Sequence, residues 1–215
     1  MRNKNNYKIR EIFEKNKDLP FFSIDSLSSI ETNRDYLKIM LGRATKSGKS
    51  VRLKRGTYVT KHYLDKLYAN QKTSFYLEFL ANNIYRPSYL SLEYVLYENN
   101  VLTDVPVNYT SVAISKTASF TNILGKFFYR KIKNDLFVGF LIAKEGDYLI
   151  AKATKTKALF DFLYFRKSIL INEESVQELR LNMGVFNSKD KKEFERYLKI
   201  DKSSKMNQIF HWVFK

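Results

Sequence analysis

Apolar residues recur at three- and four-residue spacing at Leu37, Met40, Leu41 and Ala44, with Arg34, Lys38, Arg43 and Thr45 pointing away from them. That period predicts an amphipathic helix, half core and half cation. Thr32, three residues before Asp35, reads as the cap of a weak capping box, with the acid suited to the positive end of the helix dipole. The pattern stops at Gly48, and Val51, Leu53, Thr57, Tyr58 and Val59 then favour strand on either side of a Lys54-Arg55-Gly56 turn.

The chain on either side follows the same logic. Tyr7, Ile9, Ile12 and Phe13 predict a first helix over 4–17, ended by Asp18-Leu19-Pro20. Ser23 caps a short helix that turns Ile24, Leu27 and Ile30 inward. Helix, short helix, turn, helix and basic hairpin is the order of a winged helix-turn-helix, in which the second helix of the pair enters the major groove. Residues 66–87 read as a helical connector bearing Leu67, Phe75, Leu77, Phe79, Leu80 and Ile84, interrupted at Arg86-Pro87. A capped helix is expected at 91–97, with Ser91 as cap and Glu93 as first-turn acid. Strand-like runs follow at 109–114, 126–132, 137–143 and 148–153, separated by Asn134-Asp135 and Glu145-Gly146-Asp147 turns. A core helix is expected at 156–167, solvated helices at 173–182 and 188–200, and an apolar ending that docks on the body or on a second copy.

The fold class is therefore α+β. An N-terminal winged helix-turn-helix domain (1–65) and a helical connector (66–87) precede a mixed α/β domain with a small antiparallel sheet (88–215).

Charge sharpens this picture. The formal net charge is +16, and residues 1–70 hold 16 basic against 7 acidic groups. Between Tyr36 and Leu64 there are eight basic residues and no acidic one. A polyanion is the expected partner. Asn33, Arg34 and Lys38, at the start of the recognition helix, are candidates for base-edge reading or adjacent phosphate contact. Arg43 shares that helix's basic side, and Lys46, Lys49, Arg52, Lys54 and Arg55 are candidates for phosphate contacts.

With no Cys, thiolate metal sites, disulfides and a Cys nucleophile are excluded. His62 and His211 stand far apart, and neither a phosphate-cradling Gly loop nor a Ser/His/Asp arrangement appears, so no metal, cofactor or enzymatic activity is expected. No run approaches the ~20 apolar residues that cross a bilayer, and a cytoplasmic location without membrane contact is expected.

Three blocks in order, FFSIDSL with LKRGTY, RPSYLSLEYVLYENNVL, and FFYRKIKNDLFVGF with AKATKTKALFDFLYF, resemble the AbiEi family of antitoxins from type IV toxin–antitoxin (abortive infection) systems. They correspond to that family's winged helix, its "sYlSleSALyyhGl" helix and its "A-x-pEKALlDlly" segment. The chain departs at Lys155-Thr156, where the family often has Pro-Glu, so a role attached to that acid does not carry over. It departs again at Asn99-Asn100, where the family often has Gly.

The resemblance implies an autorepressor that binds inverted repeats in double-stranded DNA of its own promoter. It also implies an antitoxin that counters a nucleotidyltransferase-like toxin without a stable complex. The C-terminal domain would serve antitoxicity, with Ser91, Glu93, Lys157 and Asp161 as its candidate residues. Two other readings stand beside it: a stand-alone winged-helix regulator without a toxin, and an enzyme acting on the toxin or its substrate. No sustained coiled-coil seam is present, so the repeats are filled by monomers or a weak dimer cooperating on DNA.

Overall fold

The computed structural model describes residues 2–215, with side chains described from Tyr7 onward. Among the described residues the fold is mixed α+β, with one three-stranded antiparallel sheet and one six-stranded mixed sheet. The chain divides into two compact units. The first takes in the residues up to Leu77 with Phe120–Gly125, and the second takes in Glu78–Ser119 with Lys126–Lys215.

In the first unit, α1 (Arg2–Asn16) leads to β1 (Phe22–Ser23), a 3₁₀ turn (Asp25–Leu27), α2 (Arg34–Lys46), β2 (Ser50–Lys54), β3 (Thr57–Thr60), α3 (Lys61–Ala69) and the start of α4 (Thr73–Ile84). The strands run in the order β1-β3-β2, all antiparallel. Leu37, Met40 and Leu41 of α2 close over Ile12, Phe22, Ile24, Leu27 and Tyr58, which is why the three- and four-residue spacing appears in the sequence. At 23–27 the chain is a strand followed by a single 3₁₀ turn. The residue at the start of that turn is Ile24, which makes no side-chain cap bond, so Ser23 is not the expected helix cap; its Oγ accepts the Ser26 amide at 3.2 Å from one residue further out. Where a single helical connector is expected at 66–87, the chain forms the end of α3 and all of α4, broken where Gln71 adopts a left-handed φ of 56°.

The second unit carries β4 (Ser88–Leu90), α5 (Leu92–Glu98), β5 (Tyr109–Ala113), nearly all of β7 (Gly125–Lys131), β8 (Phe140–Glu145), β9 (Tyr148–Ala153), α6 (Lys155–Tyr164), α7 (Glu173–Gln177), α8 (Ser188–Asp201) and α9 (Ser204–Val213), while β6 (Ala118–Asn122) is divided between the two units at Phe120. Its sheet is larger than expected and is not purely antiparallel. The order is β6-β7-β5-β4-β9-β8, with β4–β9 and β5–β7 parallel. The difference turns on β4. Three residues are too short to display a two-residue alternation, and all three are buried, so no pattern marks the strand at the centre of the sheet.

From Thr156 to Leu163, α6 is buried on every side, with Phe160 against Phe194 and Tyr197 of α8 at ring separations of 5.4 Å. The apolar ending forms α9 and docks on the body through Met206, Ile209, Phe210 and Val213. No helix among the described residues is long and apolar enough to cross a membrane.

Candidate nucleic-acid interface

The cap of α2 is Asn33, not Thr32. Its side-chain oxygen accepts the amides of Asp35 at 3.1 Å and Tyr36 at 3.0 Å, and no Thr32–Asp35 capping box forms. Asn33 therefore spends its acceptor on the helix end, where two amides would otherwise lack partners. Arg34, Lys38, Arg43 and Lys46 stand exposed along the outward side of the helix. Gly48, at φ 72°, turns the chain into β2, and Gly56, at φ 78°, closes the hairpin, as these turns require. The Gly56 carbonyl accepts the Ile24 amide at 2.9 Å, tying the hairpin turn to the segment in front of α2.

A groove of about 570 Å³ results, with Arg34, Lys38 and Lys46 of α2 on one wall and Arg52 and Arg55 of the hairpin on the other. Five of the nine residues expected to face DNA converge there. Lys49 lies instead beside Arg10, Lys61 and His62 in a second depression, Lys54 is half-buried, and Arg43 lines neither. Two carboxylates attend the groove. Arg34 pairs with Asp25, and Lys38 with Asp35 at 2.7 Å, a contact that holds the Asp35 carboxyl below its usual range. All four side chains are exposed, so these pairs contribute little stability and exchange readily for another anion.

Sequence reasoning missed Gly42, which lies on the groove between Lys38 and Lys46. A glycine inside a helix destabilises it by about 0.5–1 kcal/mol relative to alanine. Among the described residues no packing contact requires one there: a Cβ at Gly42 would meet none of their atoms within 4 Å. The signal was legible in principle: positions 34, 38, 42 and 46 form one stripe at four-residue spacing, bare only at Gly42.

In the second unit three of the four candidate residues do meet. The Lys157 ammonium lies 2.6 Å from one carboxylate oxygen of Asp161, while Ser91 Oγ and Tyr89 Oη donate to the other at 2.8 and 3.0 Å. Ser91 makes no side-chain bond to the start of α5, so its hydroxyl serves Asp161 and not the expected cap. Ser91, Lys157 and Asp161 are each 0% exposed: Tyr89 of β4 and Ser91 just after it fasten that strand to Asp161 of α6, and Lys157, one turn earlier on the same helix, neutralises the carboxylate. Burial pushes the Asp161 carboxyl up, opposed by Lys157 and the two hydroxyls. Glu93 stands apart and pairs with Arg166 at 2.5 Å on the wall of a separate cleft.

No protein-family model and no curated protein matches the chain.

Proposed function

We propose that the chain is a sequence-specific duplex-DNA-binding autorepressor whose N-terminal domain (1–65) is a winged helix-turn-helix. The carrying observation is the groove in which five cations from α2 and the hairpin converge on a helix stripe left bare at Gly42. The element order and the β1-β3-β2 sheet support the reading, since a short strand joins the hairpin exactly where a wing needs anchoring. Arg34 and Lys38 read base edges once DNA displaces Asp25 and Asp35, and Lys46, Arg52 and Arg55 hold phosphates. No cofactor enters this scheme.

The three-block resemblance to AbiEi antitoxins supports the wider role: a cytoplasmic, non-enzymatic antitoxin of a type IV system. Inverted repeats would be filled by cooperating monomers or a weak dimer, and a nucleotidyltransferase-like toxin countered without a stable complex. Residues 66–87 connect the DNA-binding domain to an antitoxin domain at 88–215.

The test is a salt-titrated binding measurement on DNA from upstream of the protein's own gene against a scrambled duplex. Preference for its own DNA by about 10³-fold or more is expected of a specific repressor. Equal affinity for both duplexes sinks the repressor reading. Growth rescue on co-expression with an adjacent nucleotidyltransferase-like protein tests the antitoxin role separately.

Gly42→Ala separates binding from folding. Thermal melts should show the variant more stable by about 0.5–1 kcal/mol, the intrinsic helix preference for alanine. Duplex affinity should fall at the same time, because a methyl group now stands where the DNA backbone approaches. A variant that gains stability and binds unchanged would place the DNA elsewhere.

A further inference from the structure

The second unit holds a cleft of about 520 Å³, within the range of small-ligand sites. Its floor is the outer face of β7. The burial of β7 alternates, so Lys126, Phe128 and Arg130 point outward together while Phe127 and Tyr129 enter the core. Same-face positions on a strand recur every ~6.6 Å, comparable to the spacing of successive phosphates along an extended polynucleotide. A cation, an aromatic ring and a second cation in that order match how single strands are held, with phosphates on the charges and a base stacked on the ring.

The walls supply the rest. Phe128 is 39% exposed, and Val107 and Ile169 beside it are 83% and 66% exposed, an apolar rim open to a planar group. The Arg130 guanidinium lies 4.9 Å from the Phe165 ring centre, and no acidic partner approaches it among the described residues. Arg166, by contrast, is neutralised by Glu93. Asn108, also lining the cleft, keeps its side-chain oxygen buried without a hydrogen-bond donor among the described residues. An amino or imino group on a ligand would satisfy it. At the edge of the floor the backbone holds Leu92 at φ 62°, an unfavourable conformation of the kind that gathers at functional sites.

We propose that this cleft binds a nucleotide with its base unstacked: the base lies on Phe128 and donates to Asn108, a phosphate oxygen accepts from Arg130, and in a strand a neighbouring phosphate reaches Lys126, which stands on the same face of β7 outside the cleft lining. A base inside a duplex cannot reach Phe128, so the ligand is a free nucleotide or a single-stranded segment, and the site is distinct from the groove of the first unit. The inference does not depend on the repressor reading.

The experiment uses the full chain carrying Arg52→Ala and Arg55→Ala, which weakens the first groove, and a fluorescein-labelled eight-nucleotide single-stranded DNA followed by anisotropy. Binding should persist in this background. Adding Phe128→Ala should weaken it about tenfold or more, the range for one lost base stack. Phe128→Trp should restore it. Arg130→Ala should lower the salt slope by about 0.7, the value for one phosphate contact on a single strand.

Melting curves of the variants confirm that each is folded. Displacement of the probe by AMP assigns the site to free nucleotides, and failure of AMP to displace it assigns a strand. Saturable AMP binding that Phe128→Ala abolishes, without oligonucleotide binding, also supports the site as one for free nucleotides. If neither ligand binds, or if Phe128→Ala and Phe128→Trp are alike in effect, the proposal is overturned.

Discussion

Replacing Lys157 by methionine should lower stability by about 3–5 kcal/mol, the cost of stranding a fully buried charge. For a chain of this size that corresponds to a melting temperature lower by about 6–20 °C. Both side chains of the pair are 0% exposed, so water cannot take the place of the lost ammonium. The loss comes from the unpaired Asp161 and not from missing volume, because methionine fills much of the lysine's space among the rings of Phe160 and Tyr197. Lys157→Met combined with Asp161→Asn should therefore recover more than half of the deficit: the asparagine still accepts from Ser91 and Tyr89 but carries no charge.

The sign of the pH dependence follows. Burial already raises the Asp161 carboxyl, and removing Lys157 takes away its largest opposing influence. Such a group costs nothing below the unfolded-state value near 3.8, where it is protonated in both states, and costs progressively more as pH rises toward its folded value. The deficit of Lys157→Met should shrink as pH falls toward 4 and widen toward neutrality. Chemical unfolding of the single and double variants at two pH values reads all of this. A single variant that unfolds like the wild type would mean the pair does not fasten the unit.

Replacing Lys46, Arg52 and Arg55 together by alanine should reduce the slope of log affinity against log salt by about 2.7, from roughly 0.9 per lost phosphate contact on duplex DNA. The three lie on facing walls of one groove, and all are exposed, so the fold should be unaffected within about 0.5 kcal/mol. Arg34→Ala with Lys38→Ala should do something different: discrimination between the protein's own upstream DNA and a scrambled duplex relaxes, while the loss on scrambled DNA stays small. Gel shifts across a salt series distinguish the two patterns. A triple variant with the wild-type slope would remove the groove as the phosphate surface.

How much of this was legible depended on whether a signal was local. The apolar spacing of Leu37, Met40, Leu41 and Ala44 marks α2 because each of those side chains is buried in the core of its unit. The β8–β9 hairpin was legible for a similar reason, since Glu145-Gly146-Asp147 carries turn chemistry and Gly146 takes the positive φ of 59° that the turn needs. β4 was not, because a three-residue buried strand has no period and draws its identity from β5 and β9 beside it.

The same division runs through the sites. The concentration of cations between Lys38 and Lys61 is a property of the sequence, and so is the absence of cysteine chemistry. Which cations share a groove was decided by the hairpin folding back toward α2, which brings Arg52 and Arg55 to the side of Lys38 and sends Lys49 elsewhere. Ser91 reads locally as a helix cap, yet its hydroxyl is claimed by a carboxylate 70 residues away. Spacing and charge within a few residues marked α2, α6, α8, the basic hairpin, the β8–β9 hairpin and the basic character of the amino end, but neither β6 nor the short span of α7. The mixed sheet, the burial of the Lys157–Asp161 pair beneath Tyr89 and Ser91, and the cleft over Phe128 came from contacts between distant stretches of chain, which no local pattern encodes.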